Sequence, residues 1–215
     1  MDDTRFTTPL YTISSAAFNL AMKADRLRYW CNKDGLLTTL VPETPHGLRL
    51  PFIALVEAQL YNEFLKGGLT LKAIREGMQA VRKELGADMM KKDKLAYDGK
   101  DILVNLSDNS SFEWIRARDD QKTIPEIVDI GLNLITWDDQ DYPLSIKLTA
   151  YGDSNVVADY RYAFGKPIIA GTRVRAEDVT MMFKAGETLS KICSEFELDP
   201  QTVESIVRAH VATAA

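Results

Sequence analysis

Cysteine and histidine are scarce in this chain: two of each in 215 residues, Cys31, Cys193, His46 and His210. That scarcity argues against a disulfide scaffold and against a zinc site built from Cys and His. The two cysteines read as small residues on apolar helix faces, which fits a reducing, cytoplasmic setting. No apolar run approaches the ~20 residues that cross a bilayer, so no membrane is expected. The opening Met1-Asp2-Asp3-Thr4 is acidic and unlike a secretory leader. Catalytic sets are missing too. Gly165-Lys166 lacks the flanking glycines and Ser/Thr of a phosphate loop, and no serine elbow occurs. A nucleophile–histidine pair would need His46 or His210, and His210 lies on an amphipathic helix as a packing residue. The acidic run Asp138-Asp139-Gln140-Asp141 lacks the ligand spacing of an EF-hand and reads as a solvated turn. The expectation is a protein that is not an enzyme and carries no cofactor or metal.

What remains is an ordinary globular composition, with 46% hydrophobic and 27% charged residues. The length allows more than one domain. The net charge of −5 hides an asymmetry. Residues 12–94 hold 13 Lys/Arg against 9 Asp/Glu, a net of +4, whereas residues 119–153 hold 2 against 8, a net of −6. Nucleic-acid binding depends on such local fields more than on the total.

The hydrophobic spacing divides the chain into a basic helical front (residues 1–92), an acidic β-containing middle (93–153) and a small helical end (154–215). In the front, Ser14 or Ser15 can cap a helix over Ser15–Leu20. A second helix is predicted over Lys23–Asn32, with Leu27, Trp30 and Cys31 on one face. Prolines 42, 45 and 51 make residues 36–51 an irregular wing. Two strong helices follow, Phe52–Lys66 and Leu71–Leu85, each with one apolar stripe. In the middle, Asp98-Gly99 suits a hairpin turn. Phe112–Ile115 reads as a short strand, Ile124–Gly131 as a short helix, and Leu132–Trp137 and Leu144–Tyr151 as strands. At the end, Val156-Val157 and Ile168-Ile169 read as strands, and Ala176–Lys184, Leu189–Phe196 and Gln201–Val211 as three helices of a helix-turn-helix-like bundle. The fold class expected is mainly α with small β elements.

Lys23, Arg26, Arg28 and Lys33 surround the second helix. Such cations attract phosphates through counterion release, and arginine can read guanine. Tyr11-Thr12-Ile13-Ser14, Leu27-Arg28-Tyr29-Trp30 and Gly35-Leu36-Leu37 resemble the start of MerR-like winged helix-turn-helix domains, and Leu69-Thr70-Leu71-Lys72-Ala73-Ile74-Arg75 resembles their later helix. The resemblance covers residues 11–86 and implies that the second helix enters a major groove while a wing touches the backbone. The wing here, Gly47-Leu48-Arg49-Leu50-Pro51, lacks the family's aromatic and leaves Arg49 as its phosphate contact.

A second stretch, Ala163-Phe164-Gly165-Lys166-Pro167-Ile168-Ile169-Ala170-Gly171-Thr172-Arg173-Val174 followed by Phe183-Lys184-Ala185-Gly186-Glu187, resembles a bacterial domain family found in VapB-type antitoxins. It covers about residues 155–212, and longer members carry a MerR-like domain in front. The resemblance implies a protein that binds and silences a PIN-like ribonuclease toxin and represses its own operon; a homodimer on a two-fold site of operator DNA is expected. Such a toxin has a carboxylate-lined site that a basic side chain can block, and Arg173, Arg175, Arg116 and Arg118 are the candidates. For Arg173 the competing reading is structural, a Gly-Thr-Arg turn tied to carbonyls or to Asp159. Two other functions fit the residues: a MerR-like transcription regulator without a toxin, and an interaction module that does not bind DNA.

Overall fold

In this computed structural model the described residues are 3–32, 36–37, 43–44, 47–107, 114–117 and 132–213. Lys33, His46, Arg118 and the helix expected over Ile124–Gly131 lie outside them. Eight helices and three small antiparallel sheets occur among the described residues. The fold is therefore mixed α and β, where the sequence pattern pointed to mainly α. The strands run two to five residues, too short for a period-2 alternation to stand out against neighbouring helices.

The front begins with α1 (Thr4–Thr7), β1 (Tyr11–Thr12) and α2 (Ile13–Asn19). The α2 cap is Thr12, whose hydroxyl accepts the Ser15 N–H at 3.0 Å, so the helix starts two residues before the predicted Ser15. After a break at Ala21 (φ 50°) comes α3 (Ala24–Cys31). Leu27 and Trp30 of α3 are fully buried, which contributes about 1.5–3 kcal/mol for a leucine-sized side chain. The wing is a hairpin of β2 (Glu43–Thr44) and β3 (Gly47–Leu50), and β3 also pairs with β1, giving the order β1-β3-β2.

Helix α4 (Phe52–Lys66) departs from the single stripe expected of it. Its residues from Phe52 through Asn62 are all buried, as befits a helix enclosed on every side. Its buried Glu57 is satisfied by Arg82 of α5 (Leu71–Leu85), at 2.9 Å, and by the Tyr61 hydroxyl. Burial, then the Glu57 charge, push the Cys31 thiol up to about 12, which makes it an inert thiol at neutral pH. Helix α5 is amphipathic as its spacing predicts, with Ile74, Met78 and Val81 inward and Thr70 as its cap.

A meander follows: β4 (Leu95–Tyr97), β5 (Ile102–Asn105) and β6 (Trp114–Arg116). The turn between β4 and β5 uses Asp98, whose carboxylate accepts the N–H groups of Lys100 and Asp101, and Gly99 at φ 90°. A four-stranded sheet of order β10-β9-β8-β7 comes next, from β7 (Ile135–Trp137), β8 (Pro143–Lys147), β9 (Val156–Asp159) and β10 (Pro167–Ile169). The strands expected over 132–137 and 144–151 are shortened by 3-10 turns at Leu132–Leu134 and Thr149–Tyr151. Helices α6 (Ala176–Lys184), α7 (Leu189–Phe196) and α8 (Pro200–Thr213) complete the chain. In α8, Val203, Ile206 and Val207 are buried, whereas Val211 is 55% exposed and His210 is half-buried against Phe18 and Tyr151.

Among the described residues the front meets the rest of the chain, the rear, at several places, Phe52 against Tyr160 among them. The buried Tyr11 hydroxyl donates to the Gly165 carbonyl at 2.6 Å. Phe18 meets Tyr151 and His210, with ring centroids 5.8 and 5.0 Å away. Arg5, 5% exposed in its side chain, reaches Asp138 at 2.6 Å and Asp3 at 2.7 Å. Its guanidinium also lies over the rings of Tyr142 and Tyr160.

Candidate functional site

In the acidic turn at 138–141, Asp139, Gln140 and Asp141 are exposed and Asp138 is half-buried and tied into the fold. Asp138 accepts the N–H groups of Gln140 and Tyr142, each at 2.9 Å, besides the Arg5 guanidinium. Burial pushes its carboxyl up, and the Tyr142 N–H and Arg5 outweigh that and hold it below its ordinary value. Among the described residues no group of His, Cys, Asp and Glu could hold a metal, and no helix is long and apolar enough to cross a membrane.

The front cations stand on α3. Lys23 occupies its N-cap and is exposed, as is Arg26. Arg28 is exposed too, but donates to Asp25 one turn earlier at 2.6 Å. Tyr29, 54% exposed, accepts a hydrogen bond from Arg75 of α5 at 3.2 Å. Arg49 lies apart from this face. It is half-buried on β3, opposite Thr12, and borders a cavity of about 400 Å³ shared with Tyr151, Phe164 and His210.

The rear candidates separate by what already holds them. Arg175 precedes α6 and forks onto Asp178, with Nε 2.9 Å from the carboxylate. That hydrogen bond holds the Asp178 carboxyl below its ordinary range. Arg116 on β6 has its Nε 3.3 Å from Asp101. Arg173 makes no hydrogen bond or ion pair with a described residue and is exposed. The Gly-Thr-Arg turn is tied to carbonyls, as one reading anticipated, but through its threonine. Thr172 Oγ1 donates to the Ile169 carbonyl at 2.8 Å and accepts the Val174 N–H at 3.0 Å. Asp159 is taken by Arg161, through Nη2 at 2.8 Å and Nε at 3.1 Å.

Arg173 lines a cavity of about 790 Å³ over one face of the four-stranded sheet. Strand alternation builds that face. Ile135, Ile146, Val156, Ala158 and Ile169 turn into the core, which sends Thr136, Ser145, Lys147, Val157, Asp159 and Ile168 to the cavity. Register then sets two rows: Thr136, Ser145 and Asp159 are neighbours across β7, β8 and β9, and Lys147, Val157 and Ile168 across β8, β9 and β10. Lys147, Arg161 and Tyr162 line the same cavity. The sequence reading did not single them out. Their signal was the polar–apolar alternation of Ser145-Ile146-Lys147-Leu148, which gives the face but not its neighbours.

The Phe164-Gly165-Lys166-Pro167 stretch works as a joint. Lys166 pairs with Glu177 of α6 at 2.9 Å. Gly165 sits at φ 70°, and a Cβ there would fall 2.5 Å from Tyr11 Oη. The preceding Ala163 and Phe164 also have positive φ, and Phe164 is left 85% exposed.

With this geometry in hand, three comparisons align the chain with known proteins. Residues 156–208 match the model of a family described as a protein of unknown function, DUF433. The matched stretch begins at β9 and includes Arg161, Arg173 and Arg175. Over 97% of its length the chain is 28% identical to a Mycobacterium tuberculosis protein whose provisional name is antitoxin VapB45, of which 96% is covered. The crystal structure of Rv2018 from Mycobacterium tuberculosis superposes with a TM-score of 0.72 at 25% identity, covering 94% of this chain and 99% of that one. The chain is thus similar, from end to end, to a protein named as a VapB-type antitoxin.

Proposed function

We propose that the chain is an antitoxin-like regulator with two binding surfaces. Its α3 face, with Lys23 and Arg26, binds operator DNA as part of a homodimer on a two-fold site. Its four-stranded sheet, with Arg173, binds and neutralises a PIN-like ribonuclease toxin. The observation that carries the reading is the end-to-end similarity to antitoxin VapB45. Two features of the molecule support it. On α3, Lys23 and Arg26 are exposed cations with no ion pair among the described residues, and phosphate attraction needs cations in that condition. At the sheet, Arg173 has no carboxylate partner among the described residues, whereas Arg175 is held by Asp178 and Arg116 lies against Asp101. The MerR-like arrangement is supported by the order β1, α2, α3, wing hairpin.

Co-expression with the product of the adjacent gene, followed by pull-down and a ribonuclease assay, tests the antitoxin half. Co-purification with loss of nuclease activity is expected. A neighbour that does not bind, or remains active when bound, contradicts the reading. A salt-dependent titration of upstream DNA tests the other half, and a salt-independent affinity contradicts it.

A further inference from the structure

We infer that the cavity over the four-stranded sheet is the receiving side of an interface, and that it takes an acidic, extended segment of a partner protein. This rests on the partner-binding half of the function proposed above, and adds which side is concave and what enters it. An arginine that blocks a carboxylate-lined cleft is pictured as a finger projecting from a convex surface. Here Arg173 borders a hollow of about 790 Å³, a volume in the range of built ligand sites. The partner must therefore bring the projecting element.

The lining gives that element's chemistry. Lys147 and Arg173 supply positive charge at the wall, and among the described residues Lys147 is engaged by the Asp153 carbonyl alone, at 3.4 Å. The Asp159 charge on the floor is matched by Arg161, whose guanidinium also lies 5.1 Å from the Tyr162 ring centroid. That ion pair holds Arg161 and Tyr162 in place before a partner arrives. Tyr162, 47% exposed, offers an aromatic surface beside Arg161 in the cavity that Arg173 also lines, and Tyr and Arg are residue types that dominate binding energy at interfaces. Arg173, with no hydrogen-bond or ion-pair partner among the described residues, can fork onto a carboxylate with two parallel hydrogen bonds. Nucleic acid fits less well. Single-strand binders present a series of aromatic platforms, whereas the lining has Tyr162 as its one aromatic side chain and an aspartate in its floor.

The test uses the full chain and three fluorescein-labelled probes: a peptide alternating Glu and Ala, the same peptide with Gln for Glu, and an oligouridine of matching charge. Anisotropy titration should show saturable binding of the Glu peptide and none of the Gln peptide. Arg173→Ala should weaken the Glu peptide about thirtyfold. Arg173→Lys, which keeps the charge and loses the fork, should fall between, and Arg208→Ala, at an exposed arginine paired with Glu204, should change nothing. No binding of the Glu peptide, equal binding of the Gln peptide, wild-type affinity in Arg173→Ala, or tighter binding of oligouridine that Arg173→Ala abolishes would each overturn the inference. The toxin pull-down stays independent. Peptide binding without toxin binding removes the antitoxin reading and keeps the groove. Toxin binding that Arg173→Ala and Lys147→Met leave intact does the reverse.

Discussion

Helix α3 and the four-stranded sheet both carry cations that have no ion pair among the described residues, but on surfaces of opposite shape. Lys23 and Arg26 stand on a helix of eight residues, a convex rod. Arg173 and Lys147 stand around a hollow. Charge alone would give both the same partner. Shape separates them, because a basic rod enters a groove and a basic hollow admits a projecting acidic segment. The two surfaces are joined through Tyr11, Gly165 and Arg5, so each can be altered alone or both disturbed together.

The joint gives the largest expected effect. Gly165→Ala places a Cβ 2.5 Å from Tyr11 Oη and 2.9 Å from Leu10, at φ 70°. It should cost about 2–4 kcal/mol in urea unfolding, from backbone strain and overpacking together, and weaken both surfaces. An undiminished unfolding midpoint would show that the two regions are not joined there. Arg5→Ala follows, at about 2–3 kcal/mol, because it leaves Asp138 with a buried neighbour removed. DNA and toxin affinities of the folded fraction should be unchanged. Arg173→Ala is the converse. It should move the unfolding midpoint by less than about 0.5 kcal/mol and cost about 2 kcal/mol in toxin binding. A large stability loss there would mean that Arg173 holds the fold.

On the front surface, Arg26→Ala should lower the slope of log affinity against log salt by about one. Arg28→Ala should lower it less, since Asp25 already pairs with that side chain. Equal slopes for both would place the DNA elsewhere. The smallest effect concerns Asp178, whose folded-state carboxyl is held down by Arg175. A depressed folded value stabilises above the unfolded one, ~3.9, and the gain is lost as pH falls through the folded value. Asp178→Asn should remove that part of the acid sensitivity, under about 1 kcal/mol for so exposed a pair. An unchanged slope of stability against pH below ~4 would contradict it.

Sequence spacing located the long elements well. Helices α4, α5, α6 and α7 begin and end at the residues predicted, because their apolar repeats agree with Thr70 at the start of α5 and with Gly67, Gly86 and Gly186 beyond the ends of α4, α5 and α6. It misplaced the start of α2, since Thr12, Ser14 and Ser15 are interchangeable as caps until tertiary packing chooses one. The sheet cavity was beyond it. Lys147 and Val157 are ten residues apart, and only strand register makes them neighbours. Arg173 was legible from its motif, but its lack of a carboxylate depends on Arg161 having claimed Asp159, a competition that spacing does not display.

The central claim is that one chain holds DNA and toxin on separate surfaces. Its most direct test is a paired titration of wild type, Lys23→Ala/Arg26→Ala and Lys147→Glu/Arg173→Glu against upstream DNA and against the neighbouring gene product. The account predicts that each double variant loses one partner and keeps the other. Loss of both partners by either folded variant, or of neither, would contradict it.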